Sequence, residues 1–221
     1  IYTLREGEQP RKLDITVAAD QYDGDLVKRY VTSGASNMAV SPDGSEIAIV
    51  IRGDIYVTDA KYKTTRRITD TPAQEREVSF SPDGRMLVYD SDRDGQWQLF
   101  TAEIKNPAEK KFAYATEIVE RPLYKGEKIA QQPAFSPDGK KVAFTLTYED
   151  IQENKGNSEI YVMDIDGKNI TRLTRTAGSE SNIAWLEGGA KIAYIGKNTK
   201  GDNRQICVMN ADGTGNQMIS D

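Results

Sequence analysis

A tetrapeptide that keeps returning limits how this chain can fold more than any other feature. Ser41-Pro42-Asp43-Gly44 recurs as Ser81-Pro82-Asp83-Gly84 and Ser136-Pro137-Asp138-Gly139, and a degenerate copy, Leu186-Glu187-Gly188-Gly189, stands in the same frame. The successive intervals are 40, 55 and 50 residues, so a unit near 40 carries insertions in two copies. Within the motif, proline presets φ for the first corner position, aspartate tolerates the second, and glycine takes the positive φ that closes a tight hairpin.

The flanks keep the same register. A large or branched apolar residue precedes each tetrapeptide: Val40, Phe80, Phe135 and Trp185. After the corner come Ile47-Ala48, Leu87-Val88, Val142-Ala143 and Ile192-Ala193. A third apolar run follows at Ile55-Tyr56-Val57, Leu99-Phe100-Thr101, Ile160-Tyr161-Val162 and Ile206-Cys207-Val208, and a fourth is centred on Ile68, Ile118, Leu173 and Ile219. Asp166-Gly167 and Asp212-Gly213 mark the turn between third and fourth runs. Each unit therefore predicts four short strands, and no window sustains a helical period. Four-stranded units at this spacing predict an all-β propeller, whose blades cover one another's faces by radial stacking. The expected blades are 36–70, 77–120, 131–175 and 182–221. Ile1-Tyr2-Thr3-Leu4 and Arg11-Lys12-Leu13 align with a third and a fourth strand, giving a half blade over 1–20. A start in mid-blade leads to the expectation of a fragment of a longer chain.

Composition narrows function. The 221 residues hold no His and one Cys, so a histidine-based triad, a His-ligated metal and an intrachain disulfide are excluded within this chain. A net charge of −5 with interspersed signs offers no footprint for nucleic acid, and no apolar stretch has the length of a membrane span. No apolar leader precedes Ile1, so any signal peptide is expected to be absent or already removed.

The phrases Phe135-Ser136-Pro137-Asp138-Gly139-Lys140-Lys141-Val142-Ala143-Phe144 and Glu159-Ile160-Tyr161-Val162-Met163-Asp164 resemble the WD-like propeller repeat of TolB, of tricorn-type proteases and of prolyl oligopeptidase relatives. Residues 1–145, with Ile51-Arg52-Gly53-Asp54-Ile55-Tyr56-Val57, look more like the tricorn type, and 146–221 more like the prolyl oligopeptidase type. The resemblance implies a noncatalytic module that gates or binds peptides for a hydrolase domain outside this chain. The alternative it implies is a TolB-like envelope scaffold that docks proteins with no peptidase attached. It also implies a periplasmic or cell-surface location, without excluding the cytoplasm.

No catalytic, cofactor or metal residue is assigned. Asp90-Ser91-Asp92-Arg93-Asp94-Gly95 and Asp164-Ile165-Asp166-Gly167 have the carboxylate density of calcium loops but lack the full loop spacing, so both read as hairpin turns. Cys207 occupies a column otherwise held by Tyr2, Tyr56, Phe100 and Tyr161, which reads as core, and Trp185 reads as inter-blade packing. The candidate contacts for a peptide or protein partner are Trp97 beside the acidic turn, Arg66 on a fourth strand, and Arg121 and Tyr124 in the long segment 114–132. That segment and 146–158 read as loops suited to recognition.

Overall fold

The computed structural model describes residues 2–3, 7, 9, 11–12, 32–150, 155–176, 178–197 and 203–220. The chain divides into two compact units, 1–33 and 34–221. In the first, β1 (Tyr2–Thr3) pairs antiparallel with β2 (Arg11–Lys12), Tyr2 opposite Lys12. The remainder of the expected half blade, 13–20, lies outside the described residues.

The second unit is all-β and consists of four antiparallel four-stranded blades. Blade 1 comprises β3 (Ala35–Val40), β4 (Glu46–Ile51), β5 (Asp54–Asp59) and β6 (Thr65–Arg67). Blade 2 comprises β7 (Glu75–Phe80), β8 (Met86–Ser91), β9 (Gln98–Ile104) and β10 (Ile118–Tyr124). Blade 3 comprises β11 (Ile129–Phe135), β12 (Lys141–Asp150), β13 (Lys155–Asp164) and β14 (Thr171–Arg172). Blade 4 comprises β15 (Ser181–Leu186), β16 (Lys191–Gly196), β17 (Gln205–Asn210) and β18 (Gln217–Met218). A single 3-10 turn, Phe112–Tyr114, interrupts the connection from β9 to β10.

The recurrent corner folds alike in three blades. The hydroxyls of Ser41, Ser81 and Ser136 donate to Asp43, Asp83 and Asp138 at 2.7, 2.6 and 2.6 Å. Each hydroxyl oxygen accepts in turn from the backbone N–H five residues on, that of Glu46, Met86 or Lys141, at 2.9 Å. Gly44, Gly84 and Gly139 close the turn at φ of 70, 71 and 70°, which a side chain would resist. In blade 4, where Leu186 lacks the hydroxyl, the corner becomes a 3-10 turn over Glu187–Gly189 instead.

The blades bury their faces against one another. Ala48, Val50, Ile55 and Val57 of blade 1 meet Val78, Phe80 and Tyr89 of blade 2, and Ala143, Ile160 and Val162 of blade 3 meet Ile192, Tyr194 and Cys207 of blade 4. Ala48 and Ala143 are fully buried between sheets, where small side chains allow close approach. The first strands β3, β7, β11 and β15 run side by side from blade to blade. Each carries a β-bulge at the same point of the repeat, and Glu77, Gln132 and Asn182 occupy it at φ of 46, 56 and 56°. Side chains there tie neighbouring blades together. Asn37 donates to Glu77 at 3.0 Å and accepts from the Val78 N–H at 3.1 Å, and Gln132 accepts from the Asn182 N–H at 2.9 Å.

The two long segments differ from their reading as recognition loops. Most of 114–132 is strand, because β10 runs for seven residues where the other fourth strands run for two or three. In 146–158, the ten-residue strands β12 and β13 pair as far as Asp150 opposite Lys155, and 151–154 lie outside the described residues. Backbone pairing absorbs the additional length in both places.

Candidate functional site

An aromatic-lined groove of about 790 Å³ lies between blades 2 and 3. Trp97, just before β9, and Tyr124, at the end of β10, both line it, with Tyr161, Ile129, Leu146, Ile170, Gln96 and Glu127. Local hydrogen bonding sets Trp97, whose carbonyl accepts from the Ala130 N–H at 2.9 Å. The guanidinium of Arg76 lies 4.2 Å from the Trp97 ring centroid, a stacked cation–π contact.

Gln98, buried beside Trp97, anchors the connection from β10 to β11. Its amide nitrogen donates to the Gly126 carbonyl at 3.0 Å and its amide oxygen accepts from the Gly126 N–H at 2.9 Å. A Cβ at Gly126 would stand 2.4 Å from the Tyr124 hydroxyl, so any side chain there would displace the Tyr124 ring. Tyr124, Phe144 and Tyr161 then form a ladder with ring centroids 5.7 and 6.1 Å apart. Burial pushes the Tyr124 phenol above its ordinary value, with smaller contributions from Tyr161 and Glu127. Gln96 carries a side-chain nitrogen that is buried and has no hydrogen-bonding partner. The groove thus offers ring faces and amide groups, a chemistry that holds a ligand.

Of the four residues named from the sequence, the fold brings together Trp97 and Tyr124. Arg121 shares β10 with Tyr124 but is exposed and outside the groove lining, and Arg66 lies on β6 of blade 1, opposite Val57. Tyr161 and Gln98 were missed. Tyr161 sits in the apolar third-strand column, and only its half-buried position within β13 distinguishes it from core. Cys207 is buried, and the Trp185 indole N–H donates to the Ala134 carbonyl of the preceding blade at 3.1 Å.

The acidic segments resolve differently. Asp92 accepts from the Gln74 N–H at 2.7 Å, and Asp94 pairs with Lys125 at 2.7 Å. Asp164 and Asp166 pair with Lys141 and Lys168, both at 2.8 Å. Asp90 belongs to β8 rather than to a turn, fully buried with neither carboxylate oxygen hydrogen-bonded. Burial pushes its carboxyl up to about 7, and the nearby Glu77 adds to the shift. Among the described residues, no group of three or more Cys, Asp or Glu converges as a metal would require, and no helix is long and apolar enough to cross a membrane.

Residues 27–128 and 119–221 each match the TolB beta propeller domain, and the chain belongs to that family. It is similar to the Tol-Pal system protein TolB of Francisella tularensis, 26% identical over 174 residues, covering 75% of this chain and 36% of that protein. It is also similar to dipeptidyl-peptidase 5 of Porphyromonas gingivalis, 34% identical over 62 residues, covering 28% of this chain and 9% of that protein. The chain thus spans well under two thirds of either relative. A TolB-type structure from Agrobacterium tumefaciens superposes with a TM-score of 0.67 at 22% identity, covering 98% of this chain and 72% of that one. The tricorn protease superposes with a TM-score of 0.64 at 11% identity, covering 87% of this chain and 23% of that one. At such identities these two likenesses concern the fold.

Proposed function

We propose that this chain is a noncatalytic propeller module that docks extended polypeptide segments. The observation that carries the reading is the groove in which Trp97, Tyr124 and Tyr161 meet on a rigid two-blade scaffold. Aromatic side chains contribute large contact area at low entropic cost, which suits the capture of an extended chain. We further propose that the chain is part of a longer protein with additional blades, and that this protein works in the periplasm or at the cell surface, as the family resemblance implies.

Two settings for the module each have specific support. Similarity to dipeptidyl-peptidase 5 favours a propeller that screens peptides for an attached hydrolase. The broader match to Tol-Pal TolB favours a scaffold without one. The coding sequence after Asp221 decides between them: a Gly-x-Ser-x-Gly hydrolase segment supports the first setting, and its absence supports the second.

Trp97 reports on the docking itself. Of the chain's two tryptophans, Trp185→Phe leaves Trp97 as the only emitter. Titration with reduced, carboxymethylated ribonuclease A, a permanently unfolded polypeptide without tryptophan, is expected to shift Trp97 emission saturably. Tyr124→Ala is expected to weaken binding about tenfold, as loss of a buried aromatic anchor does. An emission spectrum that ignores the unfolded probe at every concentration would count against the docking role.

A further inference from the structure

A second surface, outside the groove, is assembled where blade 2 reaches over to blade 1. The connection from β9 to β10 is longer than its counterparts, and its 3-10 turn is clamped onto blade 1. The buried Glu46 carboxylate accepts from the N–H groups of Phe112 and Ala113 at 3.0 and 2.8 Å. Lys111 pairs with Asp59 at 2.7 Å, and Phe112 is fully buried with its ring centroid 6.0 Å from that of Phe80. This clamp brings Tyr114 alongside the β5–β6 turn, where its hydroxyl lies 3.4 Å from that of Thr64, and leaves the preceding Lys110 exposed. The turn itself is held by Asp59, which accepts from the N–H groups of Lys61 and Tyr62 at 2.9 and 2.7 Å.

The resulting ridge is basic and aromatic. Tyr62 is 67% exposed and Tyr114 49%, and the Lys61 ammonium lies 5.0 Å from the Tyr62 ring centroid. Neighbouring cations are neutralised: Arg67 by Asp54 and Asp70, Lys105 by Glu117, Lys111 by Asp59. Lys61, Lys63 and Lys110 form no ion pair among the described residues, and Arg66 forms none within 4.0 Å, although its charge helps the Thr116 N–H, which Glu109 accepts at 2.9 Å, to hold the Glu109 carboxyl below its ordinary value. On a chain of net charge −5 this is a positive island.

We propose that this ridge docks an acidic, extended segment of a partner polypeptide, whose carboxylates pair with Lys61, Lys63, Arg66 and Lys110 while its backbone lies across Tyr62 and Tyr114. Charge complementarity selects the occupant. An anionic membrane is the poorer fit, because the exposed large apolar residues of the ridge are tyrosines alone, with no aliphatic or Trp side chain to insert among acyl chains. The site is separate from the groove and does not depend on the docking role assigned to it.

Fluorescein-labelled deca-glutamate, followed by anisotropy with the 221-residue chain, tests this. Saturable binding is expected at 50 mM salt and is expected to weaken roughly tenfold at 300 mM, where surface charges are screened. Lys61→Glu combined with Lys63→Glu is expected to lower affinity at least about tenfold, and Trp97→Ala to leave it unchanged. Lys61 and Lys63 are at exposed turn positions, and circular dichroism checks that each variant retains the fold. Absence of saturable binding, or binding insensitive to the double substitution, overturns the proposal. So does binding of phosphatidylglycerol vesicles in place of the peptide, or self-association abolished by the double substitution. Loss of deca-glutamate binding with the Trp97 response to unfolded polypeptide intact would remove the ridge and leave the groove standing.

Discussion

Asp90 and Glu180 carry the clearest pH dependence at the level of single residues. Burial pushes both carboxyls up to about 7, Asp90 with no partner in good hydrogen-bond geometry and only the nearby Gln132 backbone and Arg76 opposing the shift, and Glu180 with hydroxyl donors only, Thr174 at 3.1 Å and Thr176. Glu75, at the same place in blade 2, has an arginine beside it: Arg93 donates at 3.1 Å. A carboxyl whose folded value lies above its unfolded value stabilises the fold fully below the unfolded value, and that contribution is lost as pH rises through the folded one. The expected window runs from about pH 4 to about 7. Urea unfolding should show Asp90→Asn more stable than the parent at pH 8, by on the order of 2–4 kcal/mol, and indistinguishable at pH 4. A substitution that destabilises equally at both pH values would mean Asp90 has an undetected partner. The repeated pair Thr69-x-Thr71-x-x-x-Glu75 and Thr174-x-Thr176-x-x-x-Glu180 is visible in the sequence, yet its purpose is not. Thr69 and Thr174 accept from the N–H groups of Ile55 and Ile160, partners 14 residues away in the chain.

At the scale of elements, corners and clamps make different demands. The Ser-Pro-Asp-Gly corner is local, so its geometry follows from four residues and recurs within 0.1 Å. Ser136→Ala removes a donor to Asp138 and an acceptor for the Lys141 N–H, and is expected to cost about 1–2 kcal/mol by chemical denaturation. The Glu46 clamp is nonlocal, joining β4 to a turn more than sixty residues on. Glu46→Ala strands two buried N–H groups and is expected to cost about 3 kcal/mol, with faster amide exchange at Phe112 and Ala113. An unchanged exchange rate there would show that Phe112 packing alone holds the turn. Segments 114–132 and 146–158 were misread as loops because strand length beyond the repeat depends on a partner strand, and pairing partners are not visible in a single segment.

The whole molecule is defined by which blade faces are covered. Ile55, Leu99 and Ile160 are fully buried by the blade that follows, whereas Ile206, in the same column, is 47% exposed and Ile219 62%. At the other end of the four-blade unit, Met38 is 64% exposed and Val40 55%, although Val78 and Phe80 in those columns are buried. In the 221-residue chain, Ile206→Lys is therefore expected to reduce binding of a hydrophobic dye and leave stability unchanged. In a longer parent with further blades it is expected to cost 2 kcal/mol or more, roughly the loss of a buried aliphatic side chain. Equal behaviour in both proteins would refute the proposal of additional blades. The sequence by itself determined the four-stranded unit, its corners and its columns, because turn chemistry and strand alternation act over a few residues. Only the tertiary structure decided that Trp97 and Tyr124 share a groove with Tyr161, that the turn holding Tyr114 packs against β6 and Thr64, and that Asp90 is sealed inside β8. Those placements depend on how one blade stacks on the next, a contact between residues far apart in the chain.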